Sequence, residues 1–166
     1  MLRLAPVLLL FCIAPQLLRA QFLTPHAYST LVPNLLYIEL MGSGGMYSLN
    51  YEQLFASGEH IGAVSRFGFS AFPAGASRID FRIPVMVSCI VGGENYYGEI
   101  GGGAAFGFDN HVMESGAAVI PVGIAGFRFH PTRLGGIFCR LAYTPSWVDG
   151  TWTHGAGFAV GVGLGR

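Results

Sequence analysis

The sequence contains no lysine, and charged residues of either sign are scarce. The nine basic residues are all arginine, nine residues are acidic, and together they make up 11% of the 166 residues, against about 25% in an ordinary soluble domain. A disordered chain is excluded, because disorder needs low hydrophobicity and high net charge. The lack of a basic excess argues against a nucleic-acid-binding protein, so we predict no nucleic-acid partner.

Long apolar runs are missing except at the start of the chain. Residues 1–20 combine Arg3 with an apolar stretch that ends near a small residue, Ala20. The stretch is shorter than the about 20 residues that a spanning helix needs, and the pattern is typical of a signal peptide. We predict cleavage before Gln21; the alternatives are an uncleaved membrane anchor or a lipoprotein attached through Cys12. Removing 20 of the 166 residues leaves 146, with seven arginines and nine acidic residues.

Recognisable catalytic and metal-binding motifs are also missing. There is no Cys-x-x-Cys or His-Glu-x-x-His pattern, and the triplet Gly101–Gly103 lacks the Lys and Ser/Thr of a phosphate-binding loop. We therefore predict no cofactor, no metal site and no catalytic residues. The glycines of the triplet are instead expected to let neighbouring side chains pack closely, in the narrow barrel that is predicted below. The histidines are scattered, and each is expected in a loop or at an interface: His26, His60, His111, His130 and His154.

Glycine, Tyr, Val, Ile and Phe dominate the rest of the sequence, which favours strands over helices. The 25 glycines disfavour a helical bundle, since each costs about 1 kcal/mol inside a helix. A bilayer accepts only helices and closed barrels. An exported, apolar chain without spanning helices therefore predicts an outer-membrane barrel.

Alternation of apolar and polar residues, together with turn signals, predicts eight strands. The fold class is all-β: an eight-stranded antiparallel up-and-down transmembrane β-barrel over 35–166, after a signal peptide (1–20) and a periplasmic N-terminal lead (21–34). Short turns are expected on the periplasmic side and longer loops outside. The glycines of 42–45 either form a short outer turn or bend one long strand. The predicted strands are Leu35–Met41, Met46–Phe55, His60–Ser70, Ile79–Val91, Tyr96–Phe106, Val119–His130, Ile137–Thr144 and Gly155–Gly165.

The alternation of side chains along a strand, which we call strand parity, assigns the charged residues to one face of the predicted sheet. Each of the first seven predicted strands carries a charge opposite an apolar face, which would meet lipid in a barrel. Because buried charges must be paired, we predict a structural salt-bridge network in the lumen rather than a conduction path. The alternative is a soluble barrel or sandwich with scattered surface charges. The predicted lumen network is Glu39, Glu52, Arg66, Arg82, Glu99, Arg128 and Arg140.

The same parity places Cys89 and Cys139 on the lipid face of the fourth and seventh strands. These strands are not neighbours, so a disulfide is not expected. Aromatic residues near strand ends are typical of the girdle at the membrane interface. The candidates for this girdle are Tyr37, Tyr51, Tyr96, Tyr97, Tyr143, Trp147 and Trp152.

Several segments carry a family resemblance. The stretch Tyr37–Glu52, the pairs of glycines at 92–93 and 135–136, and Gly126–Phe129 followed by Pro131 resemble the small outer-membrane β-barrel proteins of Bacteroidetes, of the OmpA-like eight-stranded type. The resemblance runs over most of 35–165 and implies an outer-membrane barrel with no assigned activity. One departure is the last residue, Arg166, where such barrels usually carry an aromatic residue.

The sequence therefore predicts a protein of the cell outer membrane with a structural or loop-mediated binding role and no enzymatic activity. Its expected partners are outer-membrane lipids and the barrel assembly machinery, and we expect a monomer. The alternative is a lipid-modifying enzyme that uses the loops at 107–118 and 145–154, where Ser115, His111 and Glu114 could form a hydrolytic set. A small pore for apolar solutes is a weaker third hypothesis, since an eight-stranded lumen is narrow.

Overall fold

The computed structural model describes residues 31–73, 79–109, 118–148 and 150–165. The predicted signal peptide, most of the lead, and Arg166 lie outside these ranges. Within them no helix is long and apolar enough to cross a membrane. The strands are β1 (Asn34–Leu40), β2 (Tyr47–Ser57), β3 (Ile61–Pro73), β4 (Ile79–Gly93), β5 (Tyr96–Asp109), β6 (Ala118–Phe129), β7 (Ile137–Tyr143), β8 (Ser146–Val148), β9 (Thr151–Thr153) and β10 (Ala156–Leu164).

Eight of these strands close into an antiparallel barrel. Each strand from β1 to β6 pairs with its successor, and β10 pairs with both β7 and β1. Glu39, for example, lies opposite Ser48 of β2 and Ala159 of β10. The predicted fold class is confirmed, and the predicted ends of the barrel strands differ from the observed ends by no more than three residues.

The connection between β1 and β2 is the short turn that the sequence predicted. Residues 41–46 form a tight turn, with Met41 N–H bonded to Met46 O at 2.9 Å and Gly45 N–H bonded to Gly42 O at 3.0 Å. The alternative of one long bent strand is wrong. Gly45 has a φ of 97°, a conformation that L side chains rarely adopt.

The predicted loop at 145–154 instead contains a short hairpin, β8–β9, in which Trp147 lies opposite Trp152. Pro145 separates β7 from β8, and its carbonyl accepts a hydrogen bond from Gly123 N–H at 2.7 Å. Strand β8 then pairs with β6 through Val122 and Ser146. The sequence did not predict this hairpin, because each of its strands has only three residues, too few to show an alternating pattern.

The outer wall of the barrel is apolar, because every barrel strand turns a large apolar side chain outward. One representative from each strand, in barrel order, is Ile38, Leu49, Phe67, Val87, Ile100, Phe127, Leu141 and Phe158, all exposed. Cys89 and Cys139 have free thiols, are partly exposed, and share the outward parity of Val87 and Leu141. The alternate residues fill the interior.

The lead crosses one end of the barrel, which we call the turn end because the connections 58–60, 94–95 and 130–136 lie there. Val32 is 3% exposed, and its N–H donates to Pro131 O at 3.0 Å. Leu54 N–H donates to Pro33 O at 2.7 Å. Leu31 packs on a buried cluster formed by Leu54, Val64, Ile90 and Tyr97. The chain itself therefore closes the lumen at this end; the opposite end is the loop end.

Candidate functional site

Six of the seven charges expected in the lumen meet inside the barrel. Each of the six is at most 5% exposed. Their strands bring them together because all six occupy inward positions, with Glu39 on β1, Glu52 on β2 and Arg66 on β3. We call this set the lumen network: Glu39, Glu52, Glu99, Arg66, Arg128 and Arg140.

Arg140 is the centre of the lumen network. Its Nη2 lies 2.7 Å from an oxygen of Glu39, and its Nη1 lies 3.5 Å from Glu99 and 3.8 Å from Glu52. One guanidinium therefore contacts all three carboxylates. The planar, multiply donating geometry of arginine permits this arrangement, whereas the ammonium of lysine is a point charge.

The other two arginines complete the pairing. Arg128 donates from Nη1 to Glu99 at 3.2 Å and from Nη2 to Glu52. Arg66 pairs with Glu39 at 3.1 Å and also donates to Ser43 Oγ at 2.9 Å. Each carboxylate thus bridges two arginines, and the lumen network contains three charges of each sign.

This bridging resolves a conflict in the strand register. Arg128 and Arg140 lie directly opposite each other on β6 and β7, and like charges in such a position are destabilising. Glu99 and Glu52 each contact both guanidiniums, so the like charges are compensated. Removing both carboxylates would leave two buried arginines facing each other, whereas removing one leaves a single bridge between them.

Two aromatic rings line the lumen network. The Arg140 guanidinium carbon lies 5.0 Å from the ring centroid of Tyr37, and that of Arg128 lies 4.8 Å from that of Phe138. The two rings are 4.9 Å apart. Tyr37 also donates its hydroxyl to Glu52 at 3.4 Å. These contacts are within the range of cation–π attraction and exclude water from the charges.

The expected interfacial positions of Tyr37 and Tyr97 are therefore wrong. Both side chains are buried, at 1% and 6% exposure, because they have the same strand parity as Glu39 and Glu99. Nearness to a strand end did not separate inward from outward tyrosines, whereas parity with the neighbouring charge would have done so. Tyr51, Tyr96, Tyr143, Trp147 and Trp152 are exposed.

Arg82, the seventh predicted charge, does not join the lumen network. It forms no ion pair with Glu39, Glu52 or Glu99, all of which are described residues. Its guanidinium carbon instead lies 5.2 Å from the ring centroid of Phe72, towards the loop end. Parity put Arg82 on the inner face, but its height along the barrel keeps it away from the carboxylates.

Several glycines allow neighbouring strands to approach closely. A Cβ at Gly103 would collide with the carbonyl of Val85 and the backbone of Met86, and a Cβ at Gly161 would collide with Tyr37. At Gly102, by contrast, a Cβ would make only an ordinary contact of 3.4 Å. The close approach of the neighbouring strand therefore explains two glycines of the triplet, Gly101 and Gly103, but not Gly102.

Two polar residues of the interior were not found from the sequence. Ser43, in the turn after β1, is 6% exposed and donates to Glu39 at 3.2 Å. His130, expected in a loop or interface, follows β6 but is 1% exposed, with Nε2 2.9 Å from Val32 O. Burial, with the nearby charge of Arg128, lowers the pKa of His130 to about 4. Neither position has a sequence signal, since the burial of His130 depends on the lead and that of Ser43 on the turn after β1.

The loop end presents an aromatic hairpin. Trp147 and Trp152 pack edge to face with ring centroids 5.1 Å apart. Tyr143 stacks on His154 at 5.9 Å, and the tyrosine hydroxyl bonds to His154 Nδ1. The predicted hydrolytic set, Ser115, His111 and Glu114, lies outside the described residues. The described part of the chain contains no group of three or more His, Cys, Asp or Glu that could hold a metal ion.

The chain resembles known structures in fold. It has 14% identity to the Yersinia pestis outer membrane protein Ail in a phospholipid bilayer nanodisc, with a TM-score of 0.50 over 78% of this chain and 97% of that one. A crystal structure of Ail in complex with the heparin analogue sucrose octasulfate has 16% identity and a TM-score of 0.43 over 78% and 94%. No family model and no curated protein matches the chain.

The barrel therefore has the fold of an outer-membrane protein. The identity is too low to carry any more than the fold. The resemblance to Bacteroidetes proteins of the OmpA-like type, noted from the sequence, stays a prediction.

Proposed function

We propose that the protein is a non-conducting barrel of the outer membrane, which holds its loop-end hairpin outside the cell in a structural or binding role. The observation that carries this proposal is the lumen network. Six charged side chains, none more than 5% exposed, cross-link the strands where a channel would need water. An eight-stranded lumen has room for side chains but not for an aqueous pathway as well.

Residence in the membrane is supported by the reversed distribution of polarity. The charges point inward, whereas Ile100, Phe127 and Leu141 of the outer wall are each at least 65% exposed. A soluble protein rarely exposes an apolar surface that continues around the whole molecule. A lipid bilayer is the solvent that such a wall fits, and short turns at one end agree with a periplasmic orientation of that end.

The binding role is supported by the aromatic hairpin at the loop end. Trp147 and Trp152 are 39% and 55% exposed, and rigid aromatic side chains are common anchors of protein interfaces. The proposed partners in the membrane are lipids, and the barrel assembly machinery would insert the protein as a monomer.

Single-channel recording in planar lipid bilayers tests the proposal. We expect inserted wild-type protein to give no sustained conductance, with insertion checked by the change in gel mobility on boiling. As a positive control, the charge-balanced double variant Glu52→Ala with Arg128→Ala removes the pair between them and their contacts to Arg140 and Glu99, and should give detectable leak currents. Stable nanosiemens-scale steps from the wild-type protein would overturn the proposal of a closed lumen.

A further inference from the structure

The outer wall contains a groove that continues into a depression at the turn end. The groove, which we call the wall groove, encloses about 430 Å³ and is lined by apolar side chains that include Phe127, Cys139, Leu141 and Phe158. The depression, which we call the rim depression, encloses about 850 Å³ and is lined by Asn95 and residues 131–137. Phe129 lines both. The two hollows therefore adjoin at Phe129, and we call them together the slot, which has an apolar section on the wall and a polar end at the rim.

The wall groove follows from the sizes of neighbouring side chains on the outer face. Cys139 lies opposite Phe129 in the β6–β7 register, and Gly98 lies opposite Phe127 in the β5–β6 register. A small residue beside a large one leaves a hollow with a high wall. Phe127 and Leu141 are 79% and 65% exposed, so the hollow opens to the surroundings of the barrel; its floor also includes the inward-facing residues Tyr97, Arg128 and Arg140.

The rim depression carries one positive charge, Arg133, that forms no ion pair with a described residue. Arg133 is the sole arginine in the turn-end connections 58–60, 94–95 and 130–136, all of which are described. Among the described residues its side chain has no ion pair or hydrogen bond. Leu134 and Ile137, on either side, are 60% and 62% exposed. A charge held between exposed apolar side chains is suited to the boundary between lipid headgroups and acyl chains.

We propose that this slot binds an anionic phospholipid of the leaflet at the turn end. The phosphate would lie at Arg133 with the hydroxyl of Thr132 beside it, and one acyl chain would lie in the wall groove past Phe129. Charge complementarity favours an anionic lipid over a zwitterionic one, because Arg133 forms no ion pair with a described carboxylate, Glu59 and Glu94 of the neighbouring turns included. This inference rests on the proposed membrane location.

The two cysteines provide a test with an internal control. Cys89→Ser leaves Cys139, in the wall groove, as the only cysteine after the predicted leader, and Cys139→Ser leaves Cys89, on the outer face of β4. A fluorophore is attached to either thiol, and the quenching of its fluorescence is measured in phosphatidylcholine vesicles. A fraction of the lipid carries a nitroxide on its acyl chain, and this labelled lipid is phosphatidylglycerol in one set of vesicles and phosphatidylcholine in the other. At Cys139 we expect phosphatidylglycerol to associate about fivefold more strongly than phosphatidylcholine, which is the factor for one arginine near an anionic lipid. At Cys89 we expect the two lipids to associate equally.

Charge variants separate the proposal from its alternatives. Arg133→Gln should bring the lipid preference at Cys139 to about one, and Arg82→Gln, which removes an arginine at the loop end, should leave it unchanged. Equal quenching by both lipids in the wild type, or a preference that survives Arg133→Gln, would overturn the proposal. Quenching at Cys89 but not at Cys139 would mean that a second copy of the chain covers the slot, which also overturns it. Quenching at neither cysteine would instead refute the proposed membrane location.

Discussion

Replacing Arg140 with glutamine tests whether the lumen network stabilises the barrel as one unit. Removing one partner of a buried ion pair costs about 3–5 kcal/mol, because an uncompensated charge stays buried. Arg140 contacts Glu39, Glu52 and Glu99 at 2.7, 3.8 and 3.5 Å, so we expect a loss near the upper end, about 5 kcal/mol. Arg66→Gln removes a single ion pair, to Glu39, with the hydrogen bond to Ser43, and should cost about 3 kcal/mol.

Equilibrium unfolding in urea, with the barrel in lipid vesicles, gives the free energy of unfolding. The fluorescence of Trp147 and Trp152 reports the transition, since both lie on the hairpin beside the loop end. Glu59→Gln is the matched control: its side chain is 90% exposed, and the change should stay within about 0.5 kcal/mol.

Coupling between residues gives a second, independent measurement. Glu99→Gln combined with Arg140→Gln restores the balance of charge, so the double variant should lose about 0.5–3 kcal/mol less than the sum of the single variants. Additive losses, or a loss below about 1 kcal/mol for Arg140→Gln, would refute the reasoning, since both would mean that the carboxylates do not depend on this arginine.

Three further outcomes follow from residues outside the lumen network. Because burial lowers the pKa of His130 from 6.5 to about 4, the unfolded state takes up the proton first as the pH falls. Stability should therefore decline between pH 6.5 and 4, by at most about 3 kcal/mol, and urea titrations of His130→Gln should lack this part of the decline. Gly103→Ala should destabilise the barrel by about 1–3 kcal/mol through overpacking, whereas Gly102→Ala should be nearly neutral in the same assay. Equal losses of stability would contradict the close approach of β4 to Gly103. In vesicles, a membrane-soluble maleimide should label Cys89 and Cys139, whereas a charged, water-soluble maleimide should label them only after unfolding. Mass spectrometry measures the labelling. Labelling of the folded protein by the charged reagent would contradict a lipid-facing wall.

The strands could be predicted because a barrel imposes a period of two on nearly every segment. Glu52, for instance, alternates with exposed Tyr51 and lies on the same face as buried Asn50 and Leu54. Parity therefore assigned the inner face correctly for Arg82 as well as for Arg128. It could not give the height of a side chain along the barrel axis, which depends on strand tilt and register, and for this reason Arg82 was grouped with charges that it does not reach.

Contacts made by irregular segments could not be predicted from the sequence. The burial of His130 depends on Val32, 98 positions earlier, crossing the turn end. Ser43 reaches Glu39 only because the turn after β1 folds inward. In both cases the partner lies on a segment without periodicity, so no local pattern links the two residues.

The seam between β1 and β10 has a consequence for how the barrel folds. Glu39 lies on β1 and meets Arg140 of β7, 101 positions later in the chain, only when β10 has joined the first strand. Until that moment both side chains can keep water around them, and afterwards neither can. The desolvation penalty and the ion pairs that offset it therefore arise in the same event. A half-closed barrel gains little from its charges, so closure should be cooperative and late, and contacts this distant in sequence should make it slow.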